Sequence, residues 1–177
     1  FKRTPTLIEA FARVYATHPD AHLVLVGDFS IQPRVPALVK KYGLGHRVHF
    51  AGHVDHESLP AYYRLCDIYV MTSVYEGMPK VIIEAAACSK PVVSTRIAVA
   101  PEIIIEGETG LLCELENPDD IAAQIGVLLD DPERAARMGA AARAFVLKHL
   151  DHERSLDDVI ESWRRAVIVG KACRCAS

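Results

Sequence analysis

Apolar positions along the chain follow two alternating rhythms. Leu7, Ile8, Phe11, Val14 and Tyr15 recur at helical spacing. That run opens at Thr4-Pro5, a capping hydroxyl followed by a proline suited to the first turn, and His18-Pro19 stops it. The next segment, 22–27, is nearly continuous in apolar residues and predicts a short strand buried on both faces. The alternation continues with a helix over 33–42 ending at Gly43, a strand over 47–50 and a helix over 57–65. A strand over 67–71, a helix over 79–88 and strands over 91–95 and 110–113 follow. From Pro118 the pattern is helical alone, over 118–130, 133–149 and 152–168.

Strand alternating with helix predicts parallel strands joined by right-handed crossovers, in a doubly wound α/β sheet with extra C-terminal helices. In such sheets ligands bind beyond the carboxyl ends of the strands. The loops after Val26, Phe50, Met71 and Val93 are therefore the expected site. Asp28 reads as a residue that caps the next helix or shapes the turn after its strand.

Composition narrows the function. The 177 residues are half apolar and 24% charged, which suits one globular domain with a sizeable core. Twenty basic residues against 23 acidic ones leave no positive footprint for nucleic acid. The apolar runs are short and interrupted by charge, and no secretory signal pattern opens the chain, so a cytoplasmic setting is expected. Five scattered cysteines read as reduced thiols, three of them in apolar runs, with Cys173 and Cys175 in a terminal tail. The helix signal at the fourth residue, without a first strand before it, suggests a piece of a longer protein.

The loop after Met71 carries the chemistry. Gly77 gives a permissive backbone beside Glu76, and Pro79 pre-sets a helix whose first amides, at Lys80 and Val81, are expected to be unpaired and to favour an anion. Glu84 follows one turn beyond Lys80, in a helix otherwise as apolar as Val81, Ile82, Ile83 and Ala85. A carboxylate in that setting has to find a partner. Ionised carboxylates accept from hydroxyls and repel phosphate. Two of them flanking an anion pocket suggest a ligand with hydroxyls at both ends and phosphate between, as in a nucleoside diphosphate sugar.

The stretch from Glu76 to Glu84 resembles the E-x7-E motif of retaining glycosyltransferases, family 4 of the GT-B fold. Further landmarks are similar in type and order: Leu25 to Asp28, Val48 to Val54, Ser73 before Glu76, Pro91 to Val93, and Glu108 to Leu112. The resemblance covers about residues 2–150 and implies a nucleotide-sugar-binding, Rossmann-like domain over 1–150, the C-terminal half of a GT-B fold, with 151–177 as a terminal helix and tail. It implies that Glu76 receives donor-sugar hydroxyls near the Gly77 and Met78 amides, and that Lys80 and Val81 meet the diphosphate. Glu84 would hold the ribose and Lys2 neutralise the leaving diphosphate. Gly27 and the loop with His53 and Val54 would receive the nucleoside. Neither a resident metal nor another cofactor is expected, because cations and helix amides serve the diphosphate.

Departures from the family pattern are also visible. Arg3 and Ser89 stand where glycine is usual, Phe29-Ser30 where Gly-Pro is usual, and Ala98-Val99 where Gly-Gly is usual, so Val99 is expected to narrow the sugar side of the cleft. The resemblance implies an acceptor-binding domain outside this chain, an acceptor that can lie at a membrane surface, and a fragment inactive alone. The terminal stripe of Leu156, Val159, Ile160, Trp163 and Val167 offers a surface for that domain or for a second copy. A non-catalytic nucleotide-sugar-binding or scaffolding module stays open as the alternative. A nucleotide-sugar epimerase would want acid and base residues that are not evident. His46, His49, His53 and His56 have ligand-like spacing but read as structural, since strand and loop geometry aims them apart. Tyr62, Tyr63 and Tyr69 read as core or cleft wall.

Overall fold

The computed structural model describes residues 2–29 and 32–150. Helix α1 (Thr4–Thr17) leads into β1 (Leu23–Val26), α2 (Arg34–Lys41) and β2 (Val48–Gly52). A 3-10 turn (His56–Ser58) runs into α3 (Leu59–Leu65), followed by β3 (Tyr69–Met71), α4 (Lys80–Ala87) and β4 (Val92–Thr95). Then come α5 (Ala100–Ile103), β5 (Gly110–Cys113), α6 (Pro118–Asp130) and α7 (Pro132–His149). The strands pair in parallel as β1-β2 and as β3-β4-β5. Among the described residues β1 and β3 therefore each keep one unpaired edge.

The β3-β4-β5 sheet is covered on both faces, with side chains alternating between them along each strand. Val93 and Leu111 join Leu7, Ile8 and Phe11 of α1 and Ile121, Ile125 and Leu128 of α6 in one core. Their strand neighbours Val92 and Leu112 turn the other way, to Tyr63, Ile82, Ala85 and Ile103. The first core also takes in Leu25 and Val48, so both sheets lie under one helical layer. Helix α7 docks on α4 through Ala86, Ala142 and Val146. The caps of the last two helices are legible: Asn117 accepts from the Asp119 and Asp120 amides, and Asp131 from the Arg134 amide.

Four sequence expectations are corrected. Thr4 is the first residue of α1 rather than its cap; Arg3 stands at the cap in the left-handed region (φ 48°), with no side-chain cap bond. Thr4 is buried as a residue of the helix. Strand β1 is buried on one face only: Leu25 is in the core, whereas Val24 and Val26 remain 38% and 37% exposed. Among the described residues β1 pairs only with β2, so the side chains on that face lack the flanking cover a central strand receives. Pro33, not Asp28, stands at the cap of α2, so the turn reading of Asp28 is the one that survives. The short α5 was not foreseen, because four residues carry too little periodicity to read. The helix expected over 152–168 and its apolar stripe lie outside the described residues.

The glycine departures acquire a physical meaning. Arg3 and Ser89 both adopt positive φ, 48° and 59°, a conformation glycine enters without steric cost. At Ser89 the chain turns from α4 toward β4, and its carbonyl lies so close to Gly139 of α7 that a Cβ there would overlap it. Gly139 is thus required for the approach of α7. Replacing Gly139 with alanine should destabilise the domain by about 1–3 kcal/mol, because a main-chain carbonyl has to move. Ser89→Gly should stabilise it by up to about 1 kcal/mol, the relieved left-handed strain outweighing the added chain entropy. Thermal unfolding of the two variants measures both.

Candidate functional site

Buried hydroxyls build the site outward from the carboxyl end of β3. Thr72 and Ser73 follow the strand and are buried, as is Thr95 at the end of β4, so each needs a partner. Thr72 Oγ1 donates to the Lys2 carbonyl at 2.8 Å, which brings the start of the chain to this loop. Thr95 Oγ1 donates to the Ser73 carbonyl and holds the loop to β4. Ser73 Oγ donates to Glu76 Oε1 at 2.8 Å, and Lys2 Nζ donates to the same oxygen at 2.6 Å. Two sequence-predicted residues 74 positions apart are thereby joined.

Burial of Glu76 opposes its charge. The hydrogen bonds from Lys2 and Ser73, with the positive charge of Lys2, outweigh it and hold the carboxyl below the ordinary carboxylate range. Glu76 is mostly buried, while the Lys2 side chain is 61% exposed and free to change partners.

Helix α4 supplies the second part. Pro79 is fully buried and centres a tight three-residue turn (φ −79°, ψ 77°) in which the Lys80 amide donates to the Met78 carbonyl at 2.9 Å. The Lys80 N–H expected to be unpaired is therefore engaged, because the proline turns the backbone back on itself before the helix begins. The next amide, Val81 N–H, is left as the candidate anion donor, and the Ile82 amide donates to the Pro79 carbonyl. Gly77 and Met78 are exposed beside it, as is Lys80.

Glu84 finds the partner its apolar helix demands. Tyr63 of α3 donates its hydroxyl to Glu84 Oε2 at 2.8 Å, and His56 Nε2 lies 3.6 Å from Oε1. Burial first, then the bond to Glu84, raises the Tyr63 phenol well above its ordinary value, so it stays protonated as a donor. From the sequence Tyr63 reads only as core or cleft wall, and its bond to Glu84 is not foreseen. The available signal was a tyrosine on an amphipathic helix, whose buried hydroxyl must pair.

The third part is the carboxyl end of the β1-β2 pair. The Gly27 amide donates to the Gly52 carbonyl at 2.8 Å, and both glycines take positive φ, 132° and 70°. His53 is exposed and Val54 half-buried on the loop that leads to His56. The His56 side chain reaches toward Glu84, so this loop lies beside α4. The histidine series does not converge: His46 pairs with Tyr15, His49 with His22 and His56 with Glu84. Among the described cysteines, Cys113 is buried, with its thiol pushed up to about 12 by burial, whereas Cys66 and Cys88 are only half-buried. Val99 packs partly against the core beside α4.

The sequence profile of the glycosyl transferases group 1 family matches residues 2–145. The chain belongs to that family. It is 35% identical over 153 residues to N-acetyl-alpha-D-glucosaminyl L-malate synthase of Bacillus anthracis, covering 86% of this chain and 39% of that protein. A GDP-mannose-dependent phosphatidylinositol monomannoside mannosyltransferase of Mycolicibacterium smegmatis is 33% identical over 148 residues, covering 80% and 39%. Among solved structures, Anabaena HepE with UDP and glucose superposes with a TM-score of 0.83 at 28% identity, covering 93% of this chain and 45% of that one. The C-terminal domain of a group 1 glycosyl transferase from Francisella tularensis gives 0.79 at 28%, covering 85% and 80%. The architecture is that of GT-B glycosyltransferases. This chain spans about two-fifths of the length of those two relatives. No helix among the described residues is long and apolar enough to cross a membrane.

The Glu76 pair has a pH signature. Because its folded pKa is depressed, the contribution of Glu76 to stability is present above the unfolded value of about 4.3 and is lost as pH falls through the folded value. Lys2→Met should move the Glu76 titration upward. Carboxyl carbon NMR across the acidic range checks this, and an unmoved midpoint would discount the pair.

Proposed function

We propose that this chain is the donor-binding half of a retaining glycosyltransferase, which moves a hexosyl group from a nucleoside diphosphate sugar to an acceptor alcohol. The observation that carries the reading is the joining of Lys2 and Glu76 at the loop before α4, with Glu84 held inward on the same helix. Glu76 would receive sugar hydroxyls, Lys2 and the Val81 amide the diphosphate, Glu84 the ribose, and the Gly27, His53 and Val54 region the base. The presence of UDP in the HepE structure supports a nucleotide in this cleft.

In the reaction the anomeric carbon loses its bond to the diphosphate oxygen and gains one to the acceptor oxygen on the same face. The acceptor proton passes to the departing phosphate. Lys2 stabilises the charge that develops there, a role in which a fixed cation is most effective as the bond breaks. In this reading Lys2 leaves Glu76 for the diphosphate when donor binds, and no resident metal is needed. The acceptor side belongs to a second domain, so this chain alone binds nucleotide weakly and transfers little. One further parallel strand between the open edges of β1 and β3 would join the two sheets into one, consistent with the same reading.

Titration of this chain with UDP, GDP and ADP should shift the Val81 amide and the Glu84 side chain in NMR spectra; no response to any of the three would sink the proposal. In the enzyme containing both domains, Glu76→Ala should lower kcat at least about a hundredfold, the scale of losing a group that acts in the transition state. Sugar transfer at the native rate would remove Glu76 from the catalytic machinery, and no transfer by the native two-domain protein would instead favour a non-catalytic binding module.

A further inference from the structure

We propose that Tyr63 is a positioning residue of the nucleotide site, its phenol setting the Glu84 carboxylate in the orientation that receives the ribose hydroxyls. The inference rests on the proposed role of Glu84 and adds a residue from a different helix to it.

Glu84 leaves α4 among Val81, Ile83 and Ala85, and Lys80, one turn before it on the same helix, is exposed. Its carboxylate offers two oxygens. Oε2 accepts from Tyr63 at 2.8 Å in a half-buried bond, while Oε1 has only the His56 ring at 3.6 Å, beyond a good hydrogen bond. The His56 side chain is 86% exposed and readily displaced. One oxygen is therefore held and the other is open. Tyr63 itself is 7% exposed, and its ring meets Tyr69 of β3 edge to face, with centroids 5.5 Å apart. The donor is thus fixed by packing before any ligand arrives.

Fixing Glu84 in advance removes the rotamer entropy that ordering it on binding would cost. A diol then meets a carboxylate already aimed, with Oε1 and the remaining lone pair of Oε2 available. A tyrosine that merely satisfied a buried acid would stabilise the fold without distinguishing one nucleotide sugar ring from another. The two roles separate on the ribose hydroxyls.

The test is calorimetric titration of the native chain and Tyr63→Phe with UDP, GDP and ADP, and with their 2′,3′-dideoxy counterparts. The phenylalanine variant should bind the preferred ribonucleotide about five- to tenfold more weakly, the scale of one hydrogen bond lost at the site. Its affinity for the dideoxynucleotide should stay within about twofold of native. Equal loss for both sugars would make Tyr63 structural only, and no loss for either would remove its role. Absence of binding to the native chain would overturn the Glu84 reading and this one with it. A measurement in the native chain needs no variant: with carbon-13 at tyrosine Cζ, the Tyr63 signal should move on ribonucleotide binding and not on dideoxynucleotide binding. A signal that responds to neither, or to both alike, would overturn the proposal.

Discussion

Three buried hydroxyls hold the carboxyl end of the sheet in its working shape. Thr72, Ser73 and Thr95 lie where a polar group without a partner is costly, so each must donate. Their acceptors are the Lys2 carbonyl, the Glu76 carboxylate and the Ser73 carbonyl. The bonds run in series: β4 holds the loop after β3, the loop holds the start of α1, and both together set Lys2 against Glu76. Alanine in place of any one would leave a buried carbonyl or carboxylate short of its donor. The cation and the acid would then lose their common frame.

The two glutamates of the motif sit in different physical situations. Glu76 is committed electrostatically, with a lysine and a serine on one oxygen and a carboxyl held in the charged form. Glu84 is satisfied by a neutral phenol, which donates a hydrogen bond without neutralising the charge. A carboxylate paired with a cation has to exchange that partner when a ligand comes. A carboxylate held by a neutral donor can keep its partner and still accept a hydroxyl. In the proposed function that difference would suit a reacting end and a binding end of one ligand.

The main layout was legible because burial writes itself into residue order. Alternating apolar runs placed all five strands, and the fully buried β4 and β5 are among the plainest of them. Glu84 was legible because a helix as apolar as α4 makes an acid conspicuous, and Glu76 because Gly77 and Pro79 mark the loop that opens onto that helix. What escaped was whatever depends on a neighbour distant in sequence. The exposure of Val24 and Val26 follows from which edge of β1 is paired, which no local pattern records. Tyr63 meets Glu84 across 21 residues, and Thr72 meets Lys2 across 70. The engaged Lys80 amide was missed for a local reason, since a proline before a helix can enter its first turn or close a tighter turn ahead of it. At Pro79 the backbone takes the second course.

The weakness of the Lys2–Glu76 bridge is part of its usefulness. A deeply buried ion pair would resist separation, because each charge would be stranded when the other left. Here the lysine is largely in solvent, and such exposed pairs contribute little to stability. Its main chain is nonetheless anchored by Thr72, so the ammonium group can move only over a short arc around the loop. A cation that is tethered by its backbone and lightly held by its side chain can exchange a carboxylate for a diphosphate at small cost. In the proposed reaction the same tether would keep it within reach of Glu76 when the diphosphate departs. Anchoring and mobility are thus divided between the two ends of one residue, and the division follows from where Thr72 lies, just beyond the end of β3.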